Sequence, residues 1–175
     1  TNYPAAELFI NGKSYGKQSK NNSSLKSRYR LMWMDAVYEP GEVKVVAYNK
    51  EGKAVAEKVV RTAGKPHHIE LVSNRNELTA DGKDLAYVTV KVVDKDGNLC
   101  PTDNRQINFS AKGTGKYRAA ANGDPTNLEQ FHLPKMHAFN GMLTAIIQAG
   151  ETAGEIVFTA KANGVKAGNI RIQTK

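Results

Sequence analysis

The carboxylic acids of this 175-residue sequence are the first candidates for chemistry, because two carboxyl groups in a cleft can perform general acid–base catalysis. One member of such a pair needs a raised pKa. The candidate glutamates all stand at the predicted end of a strand or in a predicted turn: Glu7, Glu39, Glu42, Glu70 and Glu77. A solvated carboxylate is the simpler interpretation at such places. We therefore predict no catalytic pair among them.

Nucleophilic catalysis has one candidate, Cys100, which is the only cysteine of the chain. It stands directly before Pro101, and no histidine is near it in the sequence to act as an orienting base. A single cysteine also excludes an intrachain disulfide. We predict that no catalytic residue lies within this chain.

Metal binding would draw on four histidines: His67, His68, His132 and His137. Adjacent histidines on a strand point to opposite faces, so we predict that the first two do not chelate a metal. The other two flank a proline and lack the spacing of a zinc site. The stretch from Asp94 to Asn98 imitates the opening of a calcium loop, but its glycine comes two residues early and the closing glutamate is missing. We expect a hairpin turn there, and neither a metal nor a cofactor.

A binding function is suggested by the net charge of +8 and by a basic region that contains no acid between Glu7 and Asp35. Its cations are Lys13, Lys17, Lys20, Lys26, Arg28 and Arg30, and three aromatic residues are interleaved: Tyr15, Tyr29 and Trp33. Such a pattern can contact phosphates or an anionic glycan, although a solvated loop explains it as well. No nucleic-acid-binding motif accompanies it, so we expect no nucleic-acid partner. The alternation of residues 31–35 favours Trp33 as a core residue.

A second candidate binding segment runs from residue 121 to residue 132, where Gly, Pro and Asn predict a long connection between strands. Its side chains that suit sugar hydroxyl groups are Asn122, Asp124, Asn127, Glu129 and His132. The alternative is a loop stabilised by its own Asx turns that packs on the sheet through Leu128 and Phe131. If the chain binds a glycan, the candidate aromatic platforms are Tyr15, Tyr29 and Tyr117.

These side chains must be positioned by β-strands. Residues 86–93 alternate between two faces, and Asp81-Gly82 and Asp96-Gly97 bracket this strand as turns. No apolar run reaches the length of a membrane span. We therefore predict an all-β fold of two consecutive immunoglobulin-like β-sandwich domains, 1–64 and 65–175, joined at the Gly64-Lys65-Pro66 stretch.

The predicted strands of the first domain lie at about 6–11, 15–19, 30–38, 42–49 and 53–62, with Asn11-Gly12 as a hairpin turn. Those of the second domain lie at about 67–74, 86–95, 105–112, 116–121, 137–149, 154–162 and 166–174. The start on Thr1, almost directly in a strand, favours a piece of a longer protein.

The first half contains AELFINGKSYGKQS and then RLMWMDAVYEPGEVKVVAYNKEGKAVAEKVVRTAGKP. These phrases resemble the small sandwich domain that follows the catalytic barrel in bacterial β-galactosidases of glycoside hydrolase family 2. The second half, with IELVSNRNELTADGKDLAYVTVKVVDKDGNLCP, NGDPTNLEQF and HAFNGMLTAIIQAG, resembles the C-terminal sandwich domain that comes next in those enzymes. Nothing in the chain resembles the barrel or its catalytic glutamates.

The resemblance implies a non-catalytic C-terminal region that supports the barrel of the same polypeptide or assists access of a galactoside. It also implies a periplasmic or extracellular location. The lack of a long apolar run predicts no insertion into a membrane. Two alternatives remain open: a stand-alone carbohydrate-binding module that takes galactoside-containing glycans, and an immunoglobulin-like array of a bacterial surface adhesin. The adhesin alternative explains only the second half, through its LTADGKDLAYVTV phrase.

Overall fold

The structure, a computed structural model, describes all residues from Thr1 to Lys175. Its elements are strands apart from one short helix, which confirms the predicted all-β class. The chain divides into two compact units, Thr1–Thr62 and Ala63–Lys175. No helix of the structure is long and apolar enough to span a bilayer.

The first unit is one antiparallel sheet in the order β2-β1-β3-β4. Its elements are β1 (Ala5–Ile10), β2 (Lys13–Ser19), α1 (Leu25–Tyr29), β3 (Glu42–Tyr48) and β4 (Ala54–Arg61). The predicted hairpin turn is confirmed, since Asn11 and Gly12 adopt φ angles of 49° and 81° between the paired residues Ile10 and Lys13. The unit has a single sheet, whereas we expected its strands to be shared between two facing sheets.

The prediction of a strand at residues 30–38 is wrong. Residues 30–41 contain no strand, and α1, which the sequence did not indicate, precedes them. An alternating pattern forms a strand only beside a neighbour that accepts its backbone hydrogen bonds. Residues 30–41 pair with neither edge strand of the sheet, β2 or β4. Trp33 is consequently half-buried and not in the core, and its indole Nε1 donates a hydrogen bond to the carbonyl of Gly16 at 2.7 Å.

The second unit is a β-sandwich of two sheets, in the orders β10-β8-β12-β13-β6 and β5-β7-β11-β9. Its strands are β5 (His68–Ser73), β6 (Glu77–Leu78), β7 (Leu85–Val93), β8 (Gln106–Gly113), β9 (Gly115–Ala121), β10 (Lys135–His137), β11 (Met142–Ala149), β12 (Gly154–Lys161) and β13 (Gly168–Thr174). The core between the sheets includes Ile107, Ile147, Ile156 and Phe158, all fully buried.

Strand β7 has the predicted alternation, because Ala86, Val88, Val90 and Val92 are fully buried while Tyr87 is exposed. Val93 departs from it, since it is also buried and forms a bridge with Leu99 across the following turn. The single strand predicted at 137–149 is wrong. Residues 142–149 form β11 beside β7, but His137 is the last residue of β10 in the other sheet, and the two strands are separated by a turn in which Asn140 and Gly141 have positive φ angles.

Candidate functional site

Asp94 is the first residue of the turn at residues 94–98, the turn whose sequence imitates the opening of a calcium loop. It is only 2% exposed, and its two carboxylate oxygens accept hydrogen bonds from the N–H groups of Gly64, Asp96 and Asn98 and from the Asn98 side-chain amide, at 2.8–3.0 Å. The Gly64 N–H, followed by the Asn98 amide, holds the pKa of this carboxyl well below its usual range. Its partners are donors of the protein itself, so the carboxylate fixes the turn and the start of the second unit.

Replacing Asp94 with asparagine is expected to lower the melting temperature of the second unit by several degrees at pH 7. The amide nitrogen would face donors where an oxygen now accepts their hydrogen bonds. Because the folded-state pKa is depressed, the contribution of the carboxylate is complete above its unfolded-state pKa of about 3.9 and is lost as the pH falls below that value. Thermal melts between pH 7 and pH 2 measure both effects, and Asp96→Asn is the control, since Asp96 pairs only with exposed Lys95. Equal melting temperatures of the two variants would contradict this role.

Cys100 lies beside this turn and is buried, with its Sγ 3.8 Å from the carbonyl of Gly64. Burial raises the pKa of its thiol, which is the reverse of what a nucleophile needs. Residues 12–16, GKSYG, have the spacing G-x-S-x-G of a nucleophile elbow. They form a hairpin and the start of β2 and not the strand–turn–helix that this elbow requires. Ser14 donates its hydroxyl to Glu7 at 2.5 Å.

The candidate carboxylates are held by other groups. Hydrogen bonds from Ser14 and Tyr48 lower the pKa of Glu7, whereas a general acid needs a raised one. The other pairs join Glu42 to Arg61 at 2.7 Å, Glu70 to Lys91 at 3.5 Å and Glu77 to Lys175 at 2.6 Å. These carboxylates therefore have the surroundings of ordinary surface groups.

The side chains of His67 and His68 point towards each other and not to opposite faces of a strand as predicted. Their Nδ1 atoms lie 3.0 Å apart and their rings are perpendicular, so one imidazole donates a hydrogen bond to the other. The expectation that they point to opposite faces is wrong because β5 begins at His68, which leaves His67 outside the regular strand.

The tentative sugar-binding aromatics have different surroundings. Tyr15 is half-buried on β2 with the Lys13 ammonium 5.5 Å from its ring centroid, and Tyr29 on α1 is 68% exposed. Tyr117 is half-buried, and its ring stacks on Phe109 at 5.4 Å. Its hydroxyl donates to the carbonyls of Phe131 and Leu133 at 3.1 and 2.8 Å, and burial raises the pKa of Tyr117 to about 12. Tyr117 thus stabilises the neighbouring loop by hydrogen bonds to its backbone at Phe131 and Leu133.

The three polar candidates of that loop come together in one network. Asn122 Oδ1 accepts hydrogen bonds from the Asp124 N–H and the Asn127 amide, and Asn122 Nδ2 donates to the carbonyl of His137. Asp124 accepts from the N–H and hydroxyl of Thr126, and Asn127 Oδ1 accepts from the Glu129 N–H. Their hydrogen-bonding groups stabilise the loop itself.

Sequence reasoning missed the exposed apolar side chains. The alternative in which Leu128 and Phe131 pack on the sheet is wrong, since they are 96% and 55% exposed. A second group lies between residues 25 and 38, which we call the apolar segment: Leu25, Tyr29, Met34, Val37 and Tyr38, each at least 68% exposed. Met34, Val37 and Tyr38 lie where the strand predicted at 30–38 is absent, and Leu25 and Tyr29 lie on α1, which the sequence did not indicate.

The all-β fold and the two-sheet sandwich of the second unit define the class of this chain as a β-sandwich protein. Residues 69–171 match the model of the glycoside hydrolase family 2 C-terminal domain 5, and the chain belongs to this family. Residues 1–56 match DUF4982, a domain of unknown function. The resemblance to family 2 enzymes is therefore confirmed. The LTADGKDLAYVTV phrase, on which the adhesin alternative depends, lies within the residues that match this family model.

Two curated relatives align along nearly the whole chain. A β-galactosidase of Bacteroides ovatus, BoGH2A, is 41% identical over 97% of this chain and 19% of its own length. A β-galactosidase of Thermoanaerobacter pseudethanolicus is 30% identical over 100% of this chain and 23% of its own length. A solved glycosyl hydrolase family 2 member from Bacteroides cellulosilyticus superimposes with a TM-score of 0.86 at 32% identity, over 99% of this chain and 22% of that one. The chain thus spans about a fifth of the length of the relatives it matches.

Proposed function

We propose that these residues are the non-catalytic C-terminal region of a glycosidase of the β-galactosidase type, and that they pack against the catalytic barrel of the same polypeptide. The family match supports the glycosidase, and the names of the two curated relatives support a galactoside as its substrate. The parent enzyme would act in the periplasm or outside the cell.

The observation that carries the packing proposal is the apolar segment. An apolar surface of this kind on a soluble protein marks a contact with another protein surface. Its five large side chains lie within a stretch of fourteen residues, 25–38. About four-fifths of the length of each relative lies outside the matched region, which offers a partner within the same polypeptide.

Replacing Met34 and Val37 together with glutamate in the parent polypeptide is expected to lower its apparent melting temperature by a few degrees. Two charges would be placed against the barrel, where desolvation is costly. Calorimetry of the parent polypeptide measures the shift. The matched control is Val72→Glu, an exposed valine on β5 of the second unit. Identical melting temperatures of the double variant and the unmodified polypeptide would refute packing through this segment.

A further inference from the structure

The loop of residues 122–134, which we call the β9–β10 loop, joins the end of β9 to β10. It carries the most exposed large apolar side chain of the chain, Leu128 at 96%. Phe131, three residues later, is 55% exposed. An isolated exposed leucine is common, but here two large apolar side chains, three residues apart on one ordered loop, are both available to enter an apolar recess.

The loop is held rigid by its own hydrogen bonds. Besides the Asx network described above, the Ala120 N–H donates to the carbonyl of Phe131 at 2.8 Å and the Asn127 N–H donates to the carbonyl of Asp124 at 3.2 Å. Tyr117 supports the backbone at Phe131 from below. Little conformational entropy therefore remains to be lost when the loop binds.

A second set of contacts fastens the loop to β10. One oxygen of the Glu129 carboxylate accepts the N–H of His137 and the other contacts its Nδ1, both at 3.0 Å, while Asn122 donates to the His137 carbonyl at 3.0 Å. These contacts fix Glu129, which lies between the two apolar residues. The loop thus presents Leu128 and Phe131 in one defined arrangement.

We propose that the β9–β10 loop is a docking element that inserts Leu128 and Phe131 into an apolar recess of the same polypeptide, in the portion outside these 175 residues. This rests on the proposed function, because it needs that portion to be present and close. The large share of the relatives' length outside the matched region supplies such a partner. A glycan fits less well, because Asn122, Asp124 and Asn127 are engaged within the loop, and the more exposed of the two apolar side chains, Leu128, offers neither a hydrogen bond nor an aromatic face.

Photocrosslinking of the parent polypeptide tests this inference. A benzophenone side chain is placed at position 128, at position 34 in the apolar segment, and at Asn169 on the exposed side of β13 as the control. Since all three positions are exposed in this structure, the probe does not disturb the fold. We expect position 128 to form crosslinks within the same chain to residues outside these 175, and Asn169 to form none.

The outcomes separate the two proposals. Crosslinks from position 34 but not from position 128 would overturn the docking role of the loop and leave the proposed function intact. No crosslinks from either position would overturn both, and crosslinks from position 128 to a second copy or to an added β-galactoside oligosaccharide probe would replace the proposed occupant. As a second measurement, Leu128→Ser is expected to lower the apparent melting temperature of the parent polypeptide, and an unchanged value would also overturn the docking role.

Discussion

Replacing Phe158 with alanine is expected to lower the free energy of unfolding of the second unit by about 3–5 kcal/mol. Phe158 lies on β12, is fully buried between the two sheets, and its ring stacks on Phe109 with 6.0 Å between centroids. The loss combines the transfer of the ring out of an apolar interior with the cavity that remains. A single domain is stable by only about 5–15 kcal/mol, so most of the protein would unfold on mild heating.

Urea unfolding monitored by far-ultraviolet circular dichroism, which reports the loss of β-structure, measures this loss in the free energy of unfolding. Phe131→Ala is the matched control, because it removes the same ring from a position that is 55% exposed. Within these 175 residues alone, its effect is expected to stay within about 0.5 kcal/mol. Similar losses in the two variants would contradict the placement of the core between the sheets.

Replacing Gly113 with alanine is the second large effect, with an expected loss of about 2–5 kcal/mol. Gly113 ends β8 with a φ of +98°, and a Cβ built there would lie 1.9 Å from the backbone carbonyl oxygen of Glu155 on β12. That atom is not the end of a flexible side chain, so the two paired strands would have to separate.

The control for Gly113 is Gly97→Ala, because Gly97 has a similar φ of +82° but no atom within 4 Å of a built Cβ. Its substitution carries only the strain of the left-handed backbone, about 1 kcal/mol. The same urea titration compares the two variants. If Gly113→Ala were no worse than Gly97→Ala, the close approach of β8 and β12 would be refuted.

Local patterns predicted the elements that depend on local chemistry. The alternation of residues 86–93 and the Asn11-Gly12 turn come from side-chain period and backbone φ preference, which are properties of a few neighbouring residues. Residues 30–38 are rich in apolar residues that could be assigned to the two faces of a strand, yet they form no strand, because strand formation also needs a partner. The break between β10 and β11 at residues 138–141 similarly depends on which sheet each strand joins, and the pattern does not encode that choice.

The position of the candidate loop in the sequence was predictable, but the direction in which its polar side chains point was not. Gly, Pro and Asn marked residues 121–132 as a long loop, as the structure has it. Whether Asn122, Asp124 and Asn127 turn inward or outward depends on the network with Glu129 and His137, and His137 lies beyond the loop on β10. The polar side chains of Asn122, Asp124 and Asn127 bond within the loop, and the side chains that the loop exposes are those of Leu128 and Phe131. The sugar-binding role of these residues and of Tyr15, Tyr29 and Tyr117 stays a prediction.

Hydrolysis of a chromogenic aryl β-galactoside by the parent polypeptide and by the isolated 175-residue chain tests the central claim most directly. We expect turnover by the parent polypeptide and none above the buffer rate by the isolated chain, because Glu7, Glu42, Glu70 and Glu77 are each paired with another side chain and the Cys100 thiol is buried. Turnover by the isolated chain would contradict the claim that this region is non-catalytic. A parent polypeptide inactive on the galactoside would contradict its assignment to the β-galactosidase type.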